Sequence, residues 1–397
     1  MLSIEAVRLT NRIDWKLPPS KSHMIRWLML SSQTEKEIDI KFDSEPGDDI
    51  KSMKECLKSI GVEIRESNKL WTVKGVSNNK FVIKKRYLNC GNSGTTANFI
   101  TALVANLGEE FTIDGDESLR NRDFTELNNA LRSMGCEISS NKLPFTINGP
   151  LDLNHVCINT SITSQPLSAL ILASPTYEGK LVIDRRGESV SRGYSKLTLD
   201  IASECGMIFM EMGDKITVNL NSLVLPDTIE IPKENSLIPI VMLLSELHGV
   251  DFITNKNKEE RFLSEAIEAL KGKTRKVLDL RDCSDLITPA AALLAIREGG
   301  KIIQAKHARG KESDRIKRTV NLLDTFGMKC EASRDGIIVE GYQIPKKPKI
   351  PIETYLDHRI AMTAMALASY TGGKIVNAEI SSVTDPEFME KIKNITN

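Results

Sequence analysis

The chain has no apolar signal core at its N-terminus, and none of its apolar runs approaches the ~20 residues that span a bilayer. Its seven cysteines form no CxxC pair and its five histidines form no HExxH motif, so neither a disulfide framework nor a metal site is indicated. With 53 basic and 53 acidic residues, the chain has no net charge. This balance argues against nucleic acid or an acidic membrane as the main partner. We therefore expect a cytoplasmic protein with reduced thiols.

The length and composition are those of a soluble globular protein. Apolar residues make up 41% and charged residues 27% of the 397 positions. A chain of this length exceeds what one hydrophobic core usually supports, which predicts two domains.

Six apolar runs are each predicted to be a buried helix, because they are apolar nearly all round. Each begins with small polar or charged residues, and the starts recur at intervals of about 70 residues, with one of about 50, which indicates an internal repeat. Free N–H groups at the start of a buried helix bind anions, so the repeat indicates phosphate or carboxylate chemistry. The six starts are Ser20-Lys21-Ser22, Gly91–Thr95, Thr163-Ser164-Gln165, Glu234-Asn235-Ser236, Asp285 and Asp357-His358-Arg359.

A second repeat lies between these helices. Four amphipathic segments are each predicted to end at a glycine, at Gly61, Gly135, Gly206 and Gly327, and then to enter a strand. The repeated unit is therefore strand, buried helix, strand, amphipathic helix, strand, strand. Six such units predict an α/β (α+β) protein with three units per domain, the buried helices inside and the sheets outside.

Charged residues stand at several of the predicted helix starts. Arg26 lies four residues after Ser22, on the same helical face, and interrupts an apolar run, which favours an anionic partner over a solvated first turn. Lys311, Glu312 and Arg315 are predicted to open an amphipathic helix. Since cations there oppose the helix dipole, we expect a bound anion as their counter-charge, although a charged first turn is also common.

Six strings, in order from about Pro18 to Pro386, resemble the family of 5-enolpyruvylshikimate-3-phosphate synthases: PPSKSHMIR, NCGNSGTT, GDESLRNRDF, SITSQPLSAL, GKESDRI and YLDHRIAM. The resemblance implies two domains, each of three βαβαββ units, with the active site in the cleft between them. Residues 16–229 would form the domain that mainly binds shikimate 3-phosphate. Residues 1–15 and 230–397 would form a discontinuous domain on the phosphoenolpyruvate side.

The resemblance also implies an activity: transfer of the enolpyruvyl group of phosphoenolpyruvate to the 5-hydroxyl of shikimate 3-phosphate, by addition and elimination, without a metal ion or an organic cofactor. We expect a monomer whose partners are these two substrates. The implied catalytic residues are Asp285, Glu312 and Lys21. The implied contacts to shikimate 3-phosphate are Lys21, Ser22, Arg26, Thr163, Ser164, Gln165, Ser191, Tyr194, Asp285, His307 and Lys311. Those to phosphoenolpyruvate are Lys21, Asn92, Gly94, Thr95, Arg122, Gln165, Glu312, Arg315 and Arg359.

The chain departs from the family pattern at four positions. Asn98 stands where the family commonly has arginine, and Glu234 where an aspartate usually opens the fourth buried helix. His307 replaces a common asparagine, and Val383 stands where many members have a lysine near phosphoenolpyruvate.

Two other functions compete with this one. The first is enolpyruvyl transfer to UDP-N-acetylglucosamine, whose enzymes share the fold but use a cysteine on an active-site loop; the comparable loop here, Gly115–Asp123, holds no cysteine. The second is a non-catalytic anion-binding protein of the same fold, since a fold alone does not fix a function. Binding alone would not need the carboxylates of Asp285 and Glu312 beside an anion.

Overall fold

The structure is a computed structural model, and it describes residues 1–77, 80–177, 179–220, 223–255, 261–272 and 276–396. The chain divides into two compact units. One comprises Met1–Pro18 and Lys233–Asn397, and is called here the split unit. The other comprises Pro19–Pro232 and is called the continuous unit.

The strands are short, and most belong to sheets that repeat one pattern. In chain order they are β1 (Leu2–Ile4), β2 (Ile13–Trp15), β3 (Ile38–Lys41), β4 (Glu63–Ser67), β5 (Leu70–Lys74), β6 (Tyr87–Asn89), β7 (Glu110–Asp114), β8 (Glu137–Ile138), β9 (Phe145–Asn148), β10 (His155–Asn159), β11 (Leu181–Arg186), β12 (Met207–Met212), β13 (Lys215–Leu220), β14 (Thr228–Glu230), β15 (Phe252–Thr254), β16 (Lys276–Asp279), β17 (Gly300–Ile303), β18 (Cys330–Ala332), β19 (Ile337–Val339) and β20 (Gly373–Ile375).

The helices alternate between buried and amphipathic ones. In chain order they are α1 (Lys21–Ser31), α2 (Asp48–Ser59), α3 (Gly94–Val104), α4 (Glu117–Arg120), α5 (Thr125–Ser133), α6 (Gln165–Ala173), α7 (Arg192–Glu204), α8 (Ile238–His248), α9 (Arg261–Lys271), α10 (Ile287–Ile296), α11 (Arg315–Thr325), α12 (His358–Thr371) and α13 (Phe388–Thr396). Short 3₁₀ turns precede α8 at Asn235–Leu237 and α10 at Ser284–Leu286.

Within the described ranges, the continuous unit has three four-stranded sheets, in the orders β14-β3-β5-β4, β6-β7-β9-β8 and β10-β11-β13-β12. In each, the first pair is parallel and the next two pairs are antiparallel. A buried helix connects the parallel strands β6 and β7, and another connects β10 and β11, as a parallel pair requires a crossover. The predicted βαβαββ unit is confirmed as one continuous stretch of chain in the second and third sheets, whereas the outer strand of the first, β14, comes from the end of this unit.

The split unit repeats the pattern once in full, in the sheet β16-β17-β19-β18. Its other described strands form two-stranded pairs, β15 parallel to β2 and β1 antiparallel to β20. The N-terminal residues thus pair with strands from the C-terminal half of the chain, which is why this unit is discontinuous.

The six apolar runs form the buried helices α1, α3, α6, α8, α10 and α12. The first three lie in the main core of the continuous unit and the last three in that of the split unit. Each sheet packs one of its faces against these helices. In β3, for example, Ile38 and Ile40 are buried on that face, whereas Lys41 on the other face is exposed. The prediction of buried helices inside and sheets outside is confirmed.

The predicted helix ends are also confirmed. Gly61, Gly135, Gly206 and Gly327 follow α2, α5, α7 and α11, and all four have positive φ. At Gly61 (φ 103°) a Cβ would lie 2.5 Å from the carbonyl oxygen of Val82, so a side chain is excluded there by contact as well as by backbone conformation.

Candidate functional site

The start of α1 holds a buried ion pair. Lys21 Nζ lies 2.9 Å from Asp49 Oδ2, at the first turn of α2, and both side chains are largely buried. Ser20, just before the helix, shares a 3.0 Å hydrogen bond between its hydroxyl and His23 Nδ1. Burial, with a smaller contribution from Arg26, lowers the pKa of His23 to about 4, so this imidazole is neutral at pH 7. The carboxylate of Asp49, which is not part of the sequence motif, thus holds the Lys21 side chain at the N-terminus of α1.

Arg26 is 4% exposed and connects α1 to α7. Its Nε donates to Thr198 Oγ1 at 2.8 Å, and its Nη2 donates to the carbonyl oxygen of Tyr194 at 3.1 Å. Its Nη1 donates to the carbonyl oxygen of Ser22 at 2.8 Å. These three acceptors are neutral oxygens, and two of them bring Ser22 and Tyr194 to Arg26 through backbone carbonyls. The anionic partner of Arg26 stays a prediction.

Ser191 immediately precedes α7 and has a left-handed backbone (φ 53°), which is uncommon for a residue with a side chain. Its carbonyl oxygen accepts from the Tyr194 backbone N–H at 3.0 Å. Strained backbone of this kind often marks a binding site, because the rest of the fold must hold it in place.

The turn before α3 gathers several of the predicted residues. Asn92 Nδ2 donates to Asp116 Oδ2 at 2.7 Å, and Arg122 Nη2 donates to the Asn92 backbone oxygen at 3.1 Å. A Cβ built on Gly94 would lie 2.7 Å from Arg122 Nη1. The lack of a side chain at Gly94 therefore lets the guanidinium lie directly against the start of the helix.

α6 begins beside α3, and their first turns are joined by side chains. Gln165 Nε2 donates to Thr95 Oγ1 at 3.0 Å, and Gln165 Oε1 accepts from Asn98 Nδ2 at 3.1 Å. The hydroxyl of Thr163 accepts from the Gln165 backbone N–H at 3.3 Å. Ser164, the residue before the helix, is buried. The predicted residues at these two helix starts form one connected cluster.

In the split unit, Arg315 is the centre of a carboxylate cluster. Its side chain is 0% exposed and bonds through Nε to Asp357 Oδ2 at 2.9 Å, through Nη1 to Asp285 Oδ1 at 2.5 Å, and through Nη2 to Glu312 Oε2. Burial alone would disfavour the charged form, but Asp357, Glu312 and Asp285 outweigh it and hold the pKa of Arg315 well above its usual value. One guanidinium therefore orients both of the predicted catalytic carboxylates.

One expectation about this segment was wrong. α11 begins at Arg315, so Lys311 and Glu312 precede the helix, because the side chain of Asp314 accepts from the Lys317 backbone N–H and caps the helix at that point. Arg315 is paired with carboxylates of the protein itself, and the bound anion beside Lys311 and Arg315 stays a prediction.

Arg359, at the start of α12, is 1% exposed. Its Nη1 donates to the Ser236 backbone oxygen at 3.1 Å and its Nη2 to Ser236 Oγ at 2.7 Å. The hydroxyl of Ser236 in turn donates to Glu234 Oε1. The Nε of Arg359 has no hydrogen-bond partner among the residues that the structure describes, so a buried donor is available to an acceptor.

His307 lies in the 3₁₀ turn Lys306–Gly310. Burial first, and Lys311 second, lower its pKa to about 4, against the opposite effect of Asp285 and Asp282. Neither ring nitrogen has a partner within the described part of the chain. A neutral imidazole here can accept or donate a hydrogen bond to a polar ligand.

The arrangement supplies cations and helix N-termini for anions, and carboxylates for proton transfer. Lys21, Arg122 and the α3 and α6 starts lie in the continuous unit; Asp285, Glu312, Arg315 and Arg359 lie in the split unit. The sequence did not identify Asp49, Thr198 and Asp116, which hold these groups in place. It named Ser236 and Asp357 at helix starts, but not as the partners of Arg359 and Arg315. Among the described side chains, no three His, Cys, Asp or Glu residues group as a metal site would require. No helix in the described ranges has the length and apolar character that a membrane crossing requires.

Comparison with known proteins gives a consistent result over nearly the whole chain. The family model described as EPSP synthase (3-phosphoshikimate 1-carboxyvinyltransferase) matches residues 5–220 and 237–392. A 3-phosphoshikimate 1-carboxyvinyltransferase of Saccharolobus islandicus (strain M.14.25 / Kamchatka #1) is 30% identical, over 96% of this chain and 95% of that protein. One of Clostridium kluyveri is 28% identical over 99% of this chain and 97% of its own length. The solved EPSP synthase of Acinetobacter baumannii has the same fold, with a TM-score of 0.77, 20% identity, and coverage of 99% of this chain and 98% of that one.

Proposed function

The chain belongs to the EPSP synthase family, and on that premise we propose that it transfers the enolpyruvyl group of phosphoenolpyruvate to the 5-hydroxyl of shikimate 3-phosphate. The products are 5-enolpyruvylshikimate 3-phosphate and inorganic phosphate. This step belongs to the shikimate pathway, which leads to chorismate and the aromatic amino acids. The observation that carries the proposal is the match of the family model to residues 5–220 and 237–392, which include every candidate site residue.

The chemistry needs two proton transfers at carbon and one at oxygen. The 5-hydroxyl oxygen attacks C2 of phosphoenolpyruvate while its proton passes to a base and C3 gains a proton. The resulting tetrahedral adduct then loses phosphate, because the bond between C2 and the phosphate oxygen breaks. At the same time C3 gives up a proton, and the double bond between C2 and C3 forms again. Two oriented carboxyl groups suit these transfers.

We assign the proton transfers to Asp285 and Glu312, with Lys21 as a further proton donor. Arg315 holds both carboxylates in the split unit. Positioned acid–base groups typically contribute about 10²–10⁴-fold, so orientation of the substrates and stabilisation of negative charge supply the rest.

We further propose that the two compact units are the two domains and that both contribute to one active site. The continuous unit would bind shikimate 3-phosphate through Ser22, Arg26, Ser164, Ser191 and Tyr194. The donors Arg122 and Arg359, one from each unit, would bind the carboxylate and phosphate of phosphoenolpyruvate, since guanidinium groups recognise both. We expect the protein to act as a cytoplasmic monomer.

The transfer to UDP-N-acetylglucosamine is not favoured, because the curated relatives from Saccharolobus, Clostridium and Thermococcus are named 3-phosphoshikimate 1-carboxyvinyltransferases. A non-catalytic role is not favoured either.

The test is phosphate release with shikimate 3-phosphate and phosphoenolpyruvate, each alone and both together, beside a mixture with UDP-N-acetylglucosamine. We expect release only when the first two are both present. Asp285→Asn and Glu312→Gln should each lower kcat by about 10²-fold or more. Glu246→Gln, which disrupts an ion pair with Arg297 elsewhere in the split unit, is the matched control and should leave kcat unchanged. Folded protein that releases no phosphate from the two substrates, or that turns over the UDP-sugar, would contradict the proposal.

A further inference from the structure

Asn98, in the second turn of α3, connects the Gly94 turn to the side chain of Gln165. It is a buried amide, 6% exposed, in a helix that is otherwise mostly apolar. Its Nδ2 donates to the Gly94 carbonyl oxygen at 2.7 Å and to Gln165 Oε1 at 3.1 Å. Gln165 Nε2 then donates to Thr95 Oγ1 at 3.0 Å. The NH₂ group of this buried side chain thus links the first turn of its own helix to one residue of the candidate site.

The direction of these bonds follows from a single fixed acceptor. A backbone carbonyl can only accept, so the end of Asn98 that meets the Gly94 oxygen must be its NH₂ group. That same group faces Gln165, which must therefore present its oxygen. The NH₂ end of Gln165 is left on the side of Thr95, which is half-buried, whereas its oxygen faces the buried Asn98.

We propose that Asn98 is a positioning residue that fixes the amide of Gln165 with its N–H donors towards the substrate. This inference rests on the proposed function and on the family resemblance, which implies that Gln165 contacts both anionic substrates. A Cβ built on Gly94 would lie 2.7 Å from Arg122 Nη1 and 3.5 Å from Gln165 Oε1, so the oxygen of Gln165 is held on the side of Gly94 and the guanidinium. Its NH₂ group is on the other side, towards Thr95, and that is the side on which we place the substrate acceptor. A phosphate or carboxylate accepts hydrogen bonds only, so it gains from an N–H donor and is repelled by an amide oxygen.

Asn98→Asp tests the orientation with almost no change of shape. A carboxylate cannot donate to Gln165 Oε1, so the amide of Gln165 rotates to donate to Asp and to accept from the Thr95 hydroxyl. The oxygen then faces the substrate. We expect kcat/KM for phosphoenolpyruvate to fall by about 10-fold to 100-fold, since a hydrogen bond to a charged group is lost. Asn98→Leu removes the donor without adding charge, and we expect a smaller fall, of about 10-fold.

The matched control is Asn128 in α5, which is 0% exposed and donates through Nδ2 to the Ser140 carbonyl oxygen at 2.9 Å. Asn128→Asp and Asn128→Leu introduce the same carboxylate and the same leucine side chain at a buried helix position of the same unit, away from the candidate site. They should lower the melting temperature but leave both KM values within about twofold of wild type. If the Asn128 variants changed the KM of phosphoenolpyruvate as much as the Asn98 variants did, the effect would be general destabilisation and the inference would be wrong.

The decisive arm is a double-mutant cycle with Gln165→Ala. If Asn98 acts through Gln165, Asn98→Leu should lower kcat/KM about 10-fold in the wild-type background and less than twofold in the Gln165→Ala background. An equal effect in both backgrounds, or an unchanged kcat/KM for Asn98→Asp, would overturn the inference. If the wild-type protein releases no phosphate, the proposed function has failed. The double-mutant cycle is then repeated with the affinity for phosphoenolpyruvate, measured by calorimetry, in place of kcat/KM. Binding that Asn98→Asp leaves unchanged, or no binding at all, would then overturn the inference as well.

Discussion

Replacement of Asp357 by alanine tests the central role of the buried Arg315 cluster. Asp357 is fully buried, and its Oδ2 accepts from Arg315 Nε and Ser313 Oγ, each at 2.9 Å. Its Oδ1 caps α12 by accepting from the Arg359 backbone N–H at 2.9 Å. The carboxylate thus holds together the start of a buried helix and the cation that orients Asp285 and Glu312.

The expected loss of stability follows from these contacts. Removal of one partner of a buried ion pair costs about 3–5 kcal/mol, and loss of a helix cap costs about 1 kcal/mol. Asp285 and Glu312 still face Arg315 in the variant, so the lower end of the range applies. We expect Asp357→Ala to lower the free energy of unfolding of the split unit by about 4 kcal/mol. Asp357→Asn, which keeps the shape, should cost about half as much because it loses the charge alone.

Asp314→Ala is the matched control. Asp314 also caps a helix and also pairs with an arginine, Arg309, at 2.9 Å, but this pair is about one-third exposed. The expected cost is about 1–2 kcal/mol, since an exposed pair adds little to the cap. Burial of the pair is the main difference between the two sites.

The assay is urea unfolding followed by tryptophan fluorescence. Of the three tryptophans, Trp15 lies in the split unit and Trp27 and Trp71 in the continuous one, so replacement of the latter two by phenylalanine leaves a probe of the split unit alone. With a slope of about 2 kcal/mol per M, a difference of about 2–3 kcal/mol in the free energy of unfolding separates the two midpoints by about 1–1.5 M. Equal midpoints for Asp357→Ala and Asp314→Ala would refute the reasoning.

Three further predictions concern the same protein. Arg122→Ala should raise the KM of phosphoenolpyruvate about 10-fold to 100-fold with an unchanged circular dichroism spectrum, because a charge-assisted hydrogen bond is lost; an unchanged KM would remove Arg122 from the site. Gly94→Ala should also raise this KM, since its Cβ displaces Arg122 Nη1 from 2.7 Å, and it should have no additional effect in the Arg122→Ala background. Burial, with a smaller effect of Arg8, lowers the pKa of His248 to about 4. Between about pH 6.5 and about pH 4, His248 is therefore neutral in the folded protein, whereas in the unfolded chain it binds a proton. The free energy of unfolding should therefore fall as the pH drops from about 6.5 to about 4, and His248→Gln should reduce that slope; an equal slope in the two proteins would argue against the buried neutral imidazole.

Much of the fold could be predicted from the sequence because it depends on local patterns. The six buried helices are apolar on nearly all sides, and this composition can be recognised from the local sequence alone. The glycine that ends each of α2, α5, α7 and α11 is likewise a local signal. The charged residues from Lys311 onwards predict a start of α11 that is too early, because Asp314 caps the helix immediately before Arg315.

The partners within the site could not be predicted, because they come from distant parts of the chain. Arg315 bonds to residues 30 and 42 positions away, and a cation near a helix start gives no sign of whether its counter-charge is a ligand or a carboxylate of the protein. In the sequence, Asn98 is visible only as a departure from the family pattern. Its bond to Gln165, 67 positions away, becomes visible only when α3 and α6 are packed side by side.

The measurement that tests the account most directly is a crystal structure of the protein with shikimate 3-phosphate and phosphoenolpyruvate bound. The account predicts that the two ligands occupy one site, with Arg122 of the continuous unit and Arg359 of the split unit both within hydrogen-bond distance of phosphoenolpyruvate. Glu312 or Asp285 should lie within reach of C3 or of the 5-hydroxyl. Ligands bound to one unit alone, or at two separate places, would contradict the claim that the two units form a single active site.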